Sequence, residues 1–553
     1  MRYPILLLFL VAGCAEPPAR HHRPPSAPGT AAHAPAKPDA ILIGIPPEQV
    51  PDWTADDLEF FLRASMCDEV LPERLIEAFR GTYPEMFPGG DLTAFGLVPA
   101  SDGAGKPRPY GVSIRSLPHL GGLRALGINC ASCHLSEIRF PGIEKPLRVL
   151  GTAGQFDVQA LFGAVVAGTY RAASTADVFR FLSHYLRACD PGAGTDGQAL
   201  LTEILRKQGG AVAAILREDP LAAKGVAPGA HHRIAEGECD LTAARLREGM
   251  DLAALTRSLL KLFRNVRTAL RISDPPPAPP AVLAGPGRND AFGVLAGGLL
   301  GIKTSDAPAK FGVIWNMDRR VWNHWDANSG SPLTRNIAAV IGLGSAVVDG
   351  KAYMIDPPPL IRHQSLAERI RPPKYPGPVD AAAAERGAKH YTAACASCHD
   401  GPEDDHRLYG LDEIGTDPVR ARQFTAEQVA RYETWPDGAY EIPGYAPPGR
   451  GRPTFRVTGK YWSSSLDGVW ARSPYLHNGS VRTMRELLTP PGERPKSFRR
   501  GSRNYDPETL GFTDEGYFQF DTTLPGNGNG GHDYGTRLSD GEKADLMEYL
   551  KSR

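Results

Sequence analysis

The pentapeptide Cys-Ala-Ser-Cys-His occurs twice, at Cys130–His134 and at Cys395–His399, and no other feature restricts the chain so tightly. With eight cysteines and 15 histidines in 553 residues, random placement yields only about 0.003 copies of Cys-x-x-Cys-His. Two thiols three residues apart share one helical turn, where they can add to the two vinyl groups of a single haem. The adjoining histidine then turns its imidazole to the iron as proximal ligand. A zinc site would want a second Cys or His pair at finger spacing near each motif, and none follows. A thioredoxin-like pair would want a strand before it and no obligatory histidine after it. The motifs therefore read as two covalently bound haem c groups. Cys130, Cys133, Cys395 and Cys398 are the attachment points, and His134 and His399 the proximal ligands.

Two haem motifs imply export, and the N-terminus agrees. Arg2 supplies positive charge, Ile5 to Ala12 form a short apolar run, and Val11-Ala12-Gly13-Cys14 places small residues before a cysteine. Residues 1–13 read as a signal peptide too short to span a bilayer. The last four residues resemble a bacterial lipobox, which makes Cys14 the lipidation site. Residues 14–40, rich in Pro, Ala and His, then form a flexible tether. The expected location is periplasmic, on the outer membrane through the lipid. Lys+Arg and Asp+Glu are both 62, so nothing suggests a nucleic-acid partner. Of the other cysteines, Cys189 and Cys239 could pair as a disulfide or remain buried thiols, and Cys67 completes the set.

Helical periodicity dominates. Val178, Phe181, Leu182, Tyr185 and Leu186 share a face after a Ser174-x-x-Asp177 start signal, and Leu252, Leu255, Leu259, Leu260 and Phe263 share another. Residues 158–273 thus read as a helical insert within an N-terminal haem domain, 41–273. A proline-rich connector follows at 274–287, then an inter-haem segment, 288–371, that completes that domain. A C-terminal cytochrome c domain spans 380–553. It opens with a helix into the second motif and closes on a Ser539-x-x-Glu542 capping box and an amphipathic helix. The 60 glycines and 51 prolines favour long ordered loops. The expected fold is mainly α: two cytochrome c-like haem domains, long ordered loops and a helical insert.

Several stretches resemble the bacterial di-haem cytochrome c peroxidase and MauG superfamily. Ser473-Pro-Tyr-Leu-His477-Asn-Gly-Ser480 is similar to its signature after the second haem, and Trp322-Asn-His-Trp325-Asp326 to its tryptophan segment between haems. The rubber-oxygenase-like branch is the closer match, through Gly287-Arg288-Asn-Asp290-Ala-Phe-Gly293, Arg335-Asn336, and Leu524-Pro-Gly-Asn527 to Gly531-His532-Asp-Tyr534-Gly. The resemblance covers about residues 120 to 160 and 285 to 553. It implies that the N-terminal haem meets hydrogen peroxide or dioxygen while the C-terminal haem stores or relays electrons. It also implies a tryptophan between them: Trp325 by position, with Trp315 and Trp322 as alternatives.

Ligation decides which haem reacts, because an iron with two strong protein ligands passes electrons and an open position binds small oxidants. Peroxidases of this group carry a removable histidine soon after the first motif. Here none follows His134 until His184, so the first haem reads as open, with His119 and His324 as possible substitutes. The distal glutamate of such peroxidases falls near Ser345, while Arg335 and Asn336 occupy the preceding polar positions and could stabilise a bound oxyanion. For the second haem the candidates are His477, His532, Met484 and Met547. We take His532 as the distal ligand and His477 as a residue that supports the haem without binding iron. The expected function is a di-haem oxidoreductase with a small oxidant and an electron-donor or acceptor protein as partners. A pure electron carrier and a MauG-like protein-oxidising enzyme are the alternatives.

Overall fold

The computed structural model describes residues 44–103, 105–117, 122–218, 239–269, 282–289, 308–330, 332–343, 347–348, 351–352, 357–401, 407–433 and 455–553. The expected leader, tether and Cys14 lie outside them, as do His119, Asp290 to Gly293, Ser345 and most of the 274–287 connector. Helices dominate the described residues, linked by long loops and short antiparallel strands.

Helix α1 (Ala55–Arg63) starts with a reciprocal cap. The Thr54 hydroxyl accepts from the Asp57 N–H, and the Asp57 carboxylate accepts from the Thr54 N–H, satisfying two orphan donors of the first turn. Its inward face is Leu58, Phe61 and Leu62. Strand β1 (Leu71–Pro72) leads to α2 (Glu73–Thr82), and β2 (Val112–Leu117) pairs antiparallel with β3 (Leu123–Ile128) in a sheet of order β1-β3-β2. The first Cys-Ala-Ser-Cys-His is helix α3 (Cys130–His134), entered directly from β3. A strand therefore precedes this motif, where a cytochrome c-like domain has a helix. Here the adjoining His134, and not the preceding element, separates it from a thioredoxin-like pair. Its residues Leu123-Arg-Ala-Leu-Gly-Ile128 hold only one β-branched side chain, and the ladder bonds to β2 secure the strand. Immediately after His134, β4 (Leu135–Ile138) pairs with β5 (Leu147–Leu150).

Residues 158–269 are helical where described: α4 (Val158–Ala172), α5 (Val178–Cys189), α6 (Gly194–Glu218), α7 (Ala243–Arg247) and α8 (Leu252–Ala269). The expected apolar faces of α5 and α8 are buried, with Phe181, Leu182, Tyr185, Leu252, Leu260 and Phe263 in one cluster with Phe79 of α2. At α5 the hydroxyl of Ser174 accepts from the Asp177 N–H, and the helix proper begins one residue later.

A second apolar cluster runs behind both Cys-Ala-Ser-Cys-His segments. It joins Phe61, Cys130 and Leu150 to Trp470, Leu546 and Leu550. Helices α9 (Pro332–Gly342) and α10 (Pro357–Ala367) contribute Ile337 and Leu360. The second motif follows α11 (Ala381–Ala394) and forms α12 (Ala396–His399). Asp380 caps α11 by accepting from the N–H groups of Ala382 and Ala383. The last helix, α13 (Asp540–Lys551), opens with the Ser539–Glu542 capping box and packs on α11. Gly387 makes that crossing close, since a Cβ there would come within 2.0 Å of the Asp545 carbonyl oxygen. Burial of Leu546 and Leu550 contributes about 2 kcal/mol each.

Candidate functional site

Both motifs open onto one cavity of about 330 Å³. Cys130, Cys133 and His134 line it, as do Cys395, Cys398 and His399, together with Trp325, Arg335, Asn336, His477 and His532. Residues 265 positions apart in sequence thus converge as the resemblance requires. Trp322, His324 and Met484 line it too, whereas Trp315 and Met547 are buried without lining it.

At the second motif, the Nδ1 of His399 lies 2.8 Å from the Ser464 carbonyl oxygen and 2.9 Å from the Ser463 hydroxyl. A ring nitrogen fixed in this way donates to the carbonyl and leaves Nε2 as the metal-binding atom. His532 stands opposite, with the two ring centres 6.4 Å apart. An iron between two imidazoles, with Fe–N bonds of about 2 Å and ring centres about 1.1 Å behind each nitrogen, separates the rings by about 6.2 Å. The observed gap fits a metal between them. Burial pushes His532 down to about 4 and lowers His399 as well, so both imidazoles are neutral, the form that ligates metal.

His532 is aimed by a tight loop. Gly531 and His532 both adopt left-handed backbone, at φ 70° and 49°, which only glycine adopts at no cost. At Gly531 a Cβ would meet the Gly415 carbonyl carbon at 2.1 Å, and the His532 N–H donates to the Ile414 carbonyl at 2.7 Å. The glycine-rich stretch therefore lies against protein backbone at Ile414 and Gly415. The buried Arg494 guanidinium staples it by donating to the carbonyls of Asn529, Gly531 and His532 at 2.7, 2.8 and 3.1 Å. Neither Arg494 nor the Ser463-Ser464 pair was picked out from sequence; a lone arginine or serine in a loop carries no signal until its carbonyl partners are known.

His477 is committed elsewhere. Its ring stacks on Tyr461 with centres 4.2 Å apart and planes 23° apart, and the phenol oxygen lies 3.0 Å from Nε2. The Tyr461 O–H donates to the Asp417 carbonyl at 2.9 Å, which leaves the phenol oxygen to accept from the His477 Nε2–H. Burial pushes His477 down to about 3.

The first motif has a different shell. Burial, reinforced by the Arg335 guanidinium, pushes His134 down to about 3. Burial also raises the Cys130 thiol to about 11, with Arg335 opposing. The ring recorded beside His134 is that of Phe311, at 6.3 Å between centres. Helix α3 is capped by the Asn129 carboxamide oxygen, and Asn129 Nδ2 ties it to the Ala64 carbonyl at the end of α1. Gly111 lets the backbones approach, since a Cβ there would lie 2.3 Å from the Ser132 nitrogen. Arg335 Nη2 donates to Asn336 Oδ1 at 2.8 Å, Asn336 Nδ2 to Gln364 Oε1 at 3.1 Å, and Gln364 Nε2 to Glu368 Oε1 at 2.9 Å. This chain of bonds fixes both polar side chains against α10. His324 has its Nδ1 on Asn328 Oδ1 at 2.7 Å.

The tryptophans differ in setting. Trp325 Nε1 donates to the Lys310 carbonyl at 2.7 Å. Trp322 carries the Arg456 guanidinium 3.6 Å above its ring, and Trp325 has the Lys310 ammonium 5.8 Å from its ring centre, so each indole lies beside a cation, the nearer one at Trp322.

Residues 459–499, which hold Tyr461, Ser463, Ser464, Arg472 and the Pro474-to-Gly479 turn, match the family model described as RoxA-like, cytochrome c-like. Two relatives come from Sinorhizobium fredii (strain NBRC 101917 / NGR234). The uncharacterized protein y4iJ is 31% identical over 327 residues, covering 44% of this chain and 55% of its own length. The uncharacterized protein y4iM is 32% identical over 287 residues, covering 43% and 63%. The chain thus spans little more than half the length of the relatives it matches. The family match supports a RoxA-like, c-type cytochrome holding haem c. Among the described residues, no helix is long and apolar enough to cross a membrane.

Proposed function

We propose that this chain is an exported di-haem oxidoreductase in which the His134 haem meets hydrogen peroxide or dioxygen and the His399 haem relays electrons. The observation that carries the proposal is the asymmetry within one cavity: His399 has an imidazole across a metal-sized gap, and His134 has Phe311 and Arg335 near it. Cys130 and Cys133 would hold one haem with His134, and Cys395 and Cys398 the other with His399 and His532. Bound there, haem supplies one-electron and oxygen chemistry.

The protein's own residues do the rest. Arg335 offers a guanidinium, pre-set by Asn336, to charge developing on an oxidant, where its donors need no reorganisation. Asn336 is held by Gln364 with its carboxamide oxygen toward Arg335. Ser463 and Ser464 keep His399 in one tautomer, and Arg494 keeps His532 facing it. Trp325, fixed through its N–H, is the aromatic group we assign to the inter-haem relay. The Cys14 lipid would hold the protein at the outer membrane, with a donor or acceptor protein as redox partner.

Electron paramagnetic resonance of the oxidised holoprotein tests this reading. One high-spin and one low-spin ferric signal are expected, with the high-spin signal changing on addition of peroxide. Two low-spin signals that ignore peroxide would instead identify an electron carrier. A protein-oxidising enzyme of the MauG kind would hold oxidising equivalents after peroxide with no small donor present.

A further inference from the structure

Lys310 occupies an unusual place for an ammonium. It is 3% exposed and lines the cavity shared by the two motifs. Its Nζ donates to the carbonyls of Arg472 and Pro474, both at 2.6 Å. An ammonium has three donors, so one N–H remains beyond these two bonds, on a residue that lines the cavity. The nearest charges that bear on it are also cationic: Arg472 and Arg500 oppose its protonation, as does burial. A buried cation offset by carbonyl dipoles alone is costly, of the order of several kcal/mol, unless an anion joins it.

Its neighbours on either side belong to different motifs. Phe311, the next residue, approaches His134. Arg472, whose carbonyl Lys310 caps, donates from Nη1 to the Ser464 hydroxyl at 3.1 Å, and the Ser464 carbonyl lies 2.8 Å from His399 Nδ1. The Lys310 N–H donates to the His477 carbonyl at 2.8 Å, and its carbonyl takes the Trp325 indole N–H. Its ammonium lies 5.8 Å from the Trp325 ring centre. One residue therefore touches the relay tryptophan and the supporting histidine, and joins the segment that approaches His134 to the one that reaches His399 through Ser464.

We propose that the Lys310 ammonium is the anion site of the cavity, taking a haem carboxylate between the two motifs and setting the reduction potential of the haem it pairs with. This rests on the di-haem reading above. Lys310 lines the cavity, and a charge-assisted bond is what a desolvated carboxylate requires. A buried positive charge favours the ferrous over the ferric state, so its loss lowers the potential.

The test uses the holoprotein with both haems attached, counted by the alkaline pyridine spectrum. Lys310→Met keeps the length and removes the charge. It is expected to lower the midpoint potential of at least one haem and to shift a propionate bending band in the resonance Raman spectrum, while Lys310→Arg restores most of the potential. Two attached haems with potentials and propionate bands unmoved by Lys310→Met would overturn this inference and leave the di-haem reading standing. One haem per chain in the unsubstituted protein would overturn both. Should Lys310→Met fail to fold, the same bands are read on Lys310→Arg, where exchange of donor shifts the band and an unshifted band counts against the proposal.

Discussion

At the second motif, His399 is gripped from behind by Ser463 and Ser464 and faced by His532. At the first, His134 closes a motif entered from a strand and has Phe311 and a guanidinium for company. The pentapeptides are identical, so nothing inside them makes the difference. The surrounding loops assign the roles: a glycine-hinged, arginine-stapled loop supplies an imidazole to one site, and α9 supplies Arg335 and Asn336 to the other. The attachment residues and the surroundings of each histidine are thus encoded in separate parts of the chain.

Removing the facing imidazole breaks the contrast outright. His532→Ala is expected to convert the low-spin ferric signal of the second haem to high-spin, with two haems still attached. Exogenous imidazole should restore the low-spin signal by filling the space. If the spectrum of His532→Ala matches the parent, His532 is not the ligand, and Met484, which also lines the cavity, becomes the residue to test.

The reactive side is sharpened by Arg335→Leu. Loss of a preorganised donor at developing charge costs about 10²-fold in rate, and this is the fall expected in the rate constant for peroxide, read by stopped-flow absorbance. The His399 low-spin signal should not move. An unchanged rate would return Arg335 to a packing role on α9.

Much of this contrast was legible in the sequence, but unevenly. The attachment residues could be read because five adjacent residues carry the whole chemistry. Helices α5, α8 and α13 could be read because their apolar spacing and caps are local. His532 was singled out by its glycine-rich setting, and the backbone shows what the glycine serves: Gly531 lets the loop touch Ile414 and Gly415. The strand before the first motif was not foreseen, since its existence depends on ladder bonds to β2 rather than on its own residues. Lys310 and Arg494 were invisible for the same reason. Their partners are main-chain carbonyls contributed by segments far away in sequence, and a carbonyl leaves no mark on composition.

The smallest expected effect compares what stands behind each motif. Thr54 and Ser539 each close a reciprocal capping box, on α1 and on α13. Helix α1 reaches the first motif through Ala64 and Asn129, and α13 packs on α11, the helix that leads into the second. Replacing an N-cap hydroxyl by alanine costs about 1 kcal/mol. Thr54→Ala and Ser539→Ala should therefore lower unfolding stability by similar amounts in denaturant titration. One apolar cluster spans both helices, from Phe61 to Leu546, so each variant should show a single transition when followed at either haem. Separate transitions, with Thr54→Ala shifting only the high-spin band and Ser539→Ala only the low-spin band, would mean that the two sites unfold independently despite their shared core.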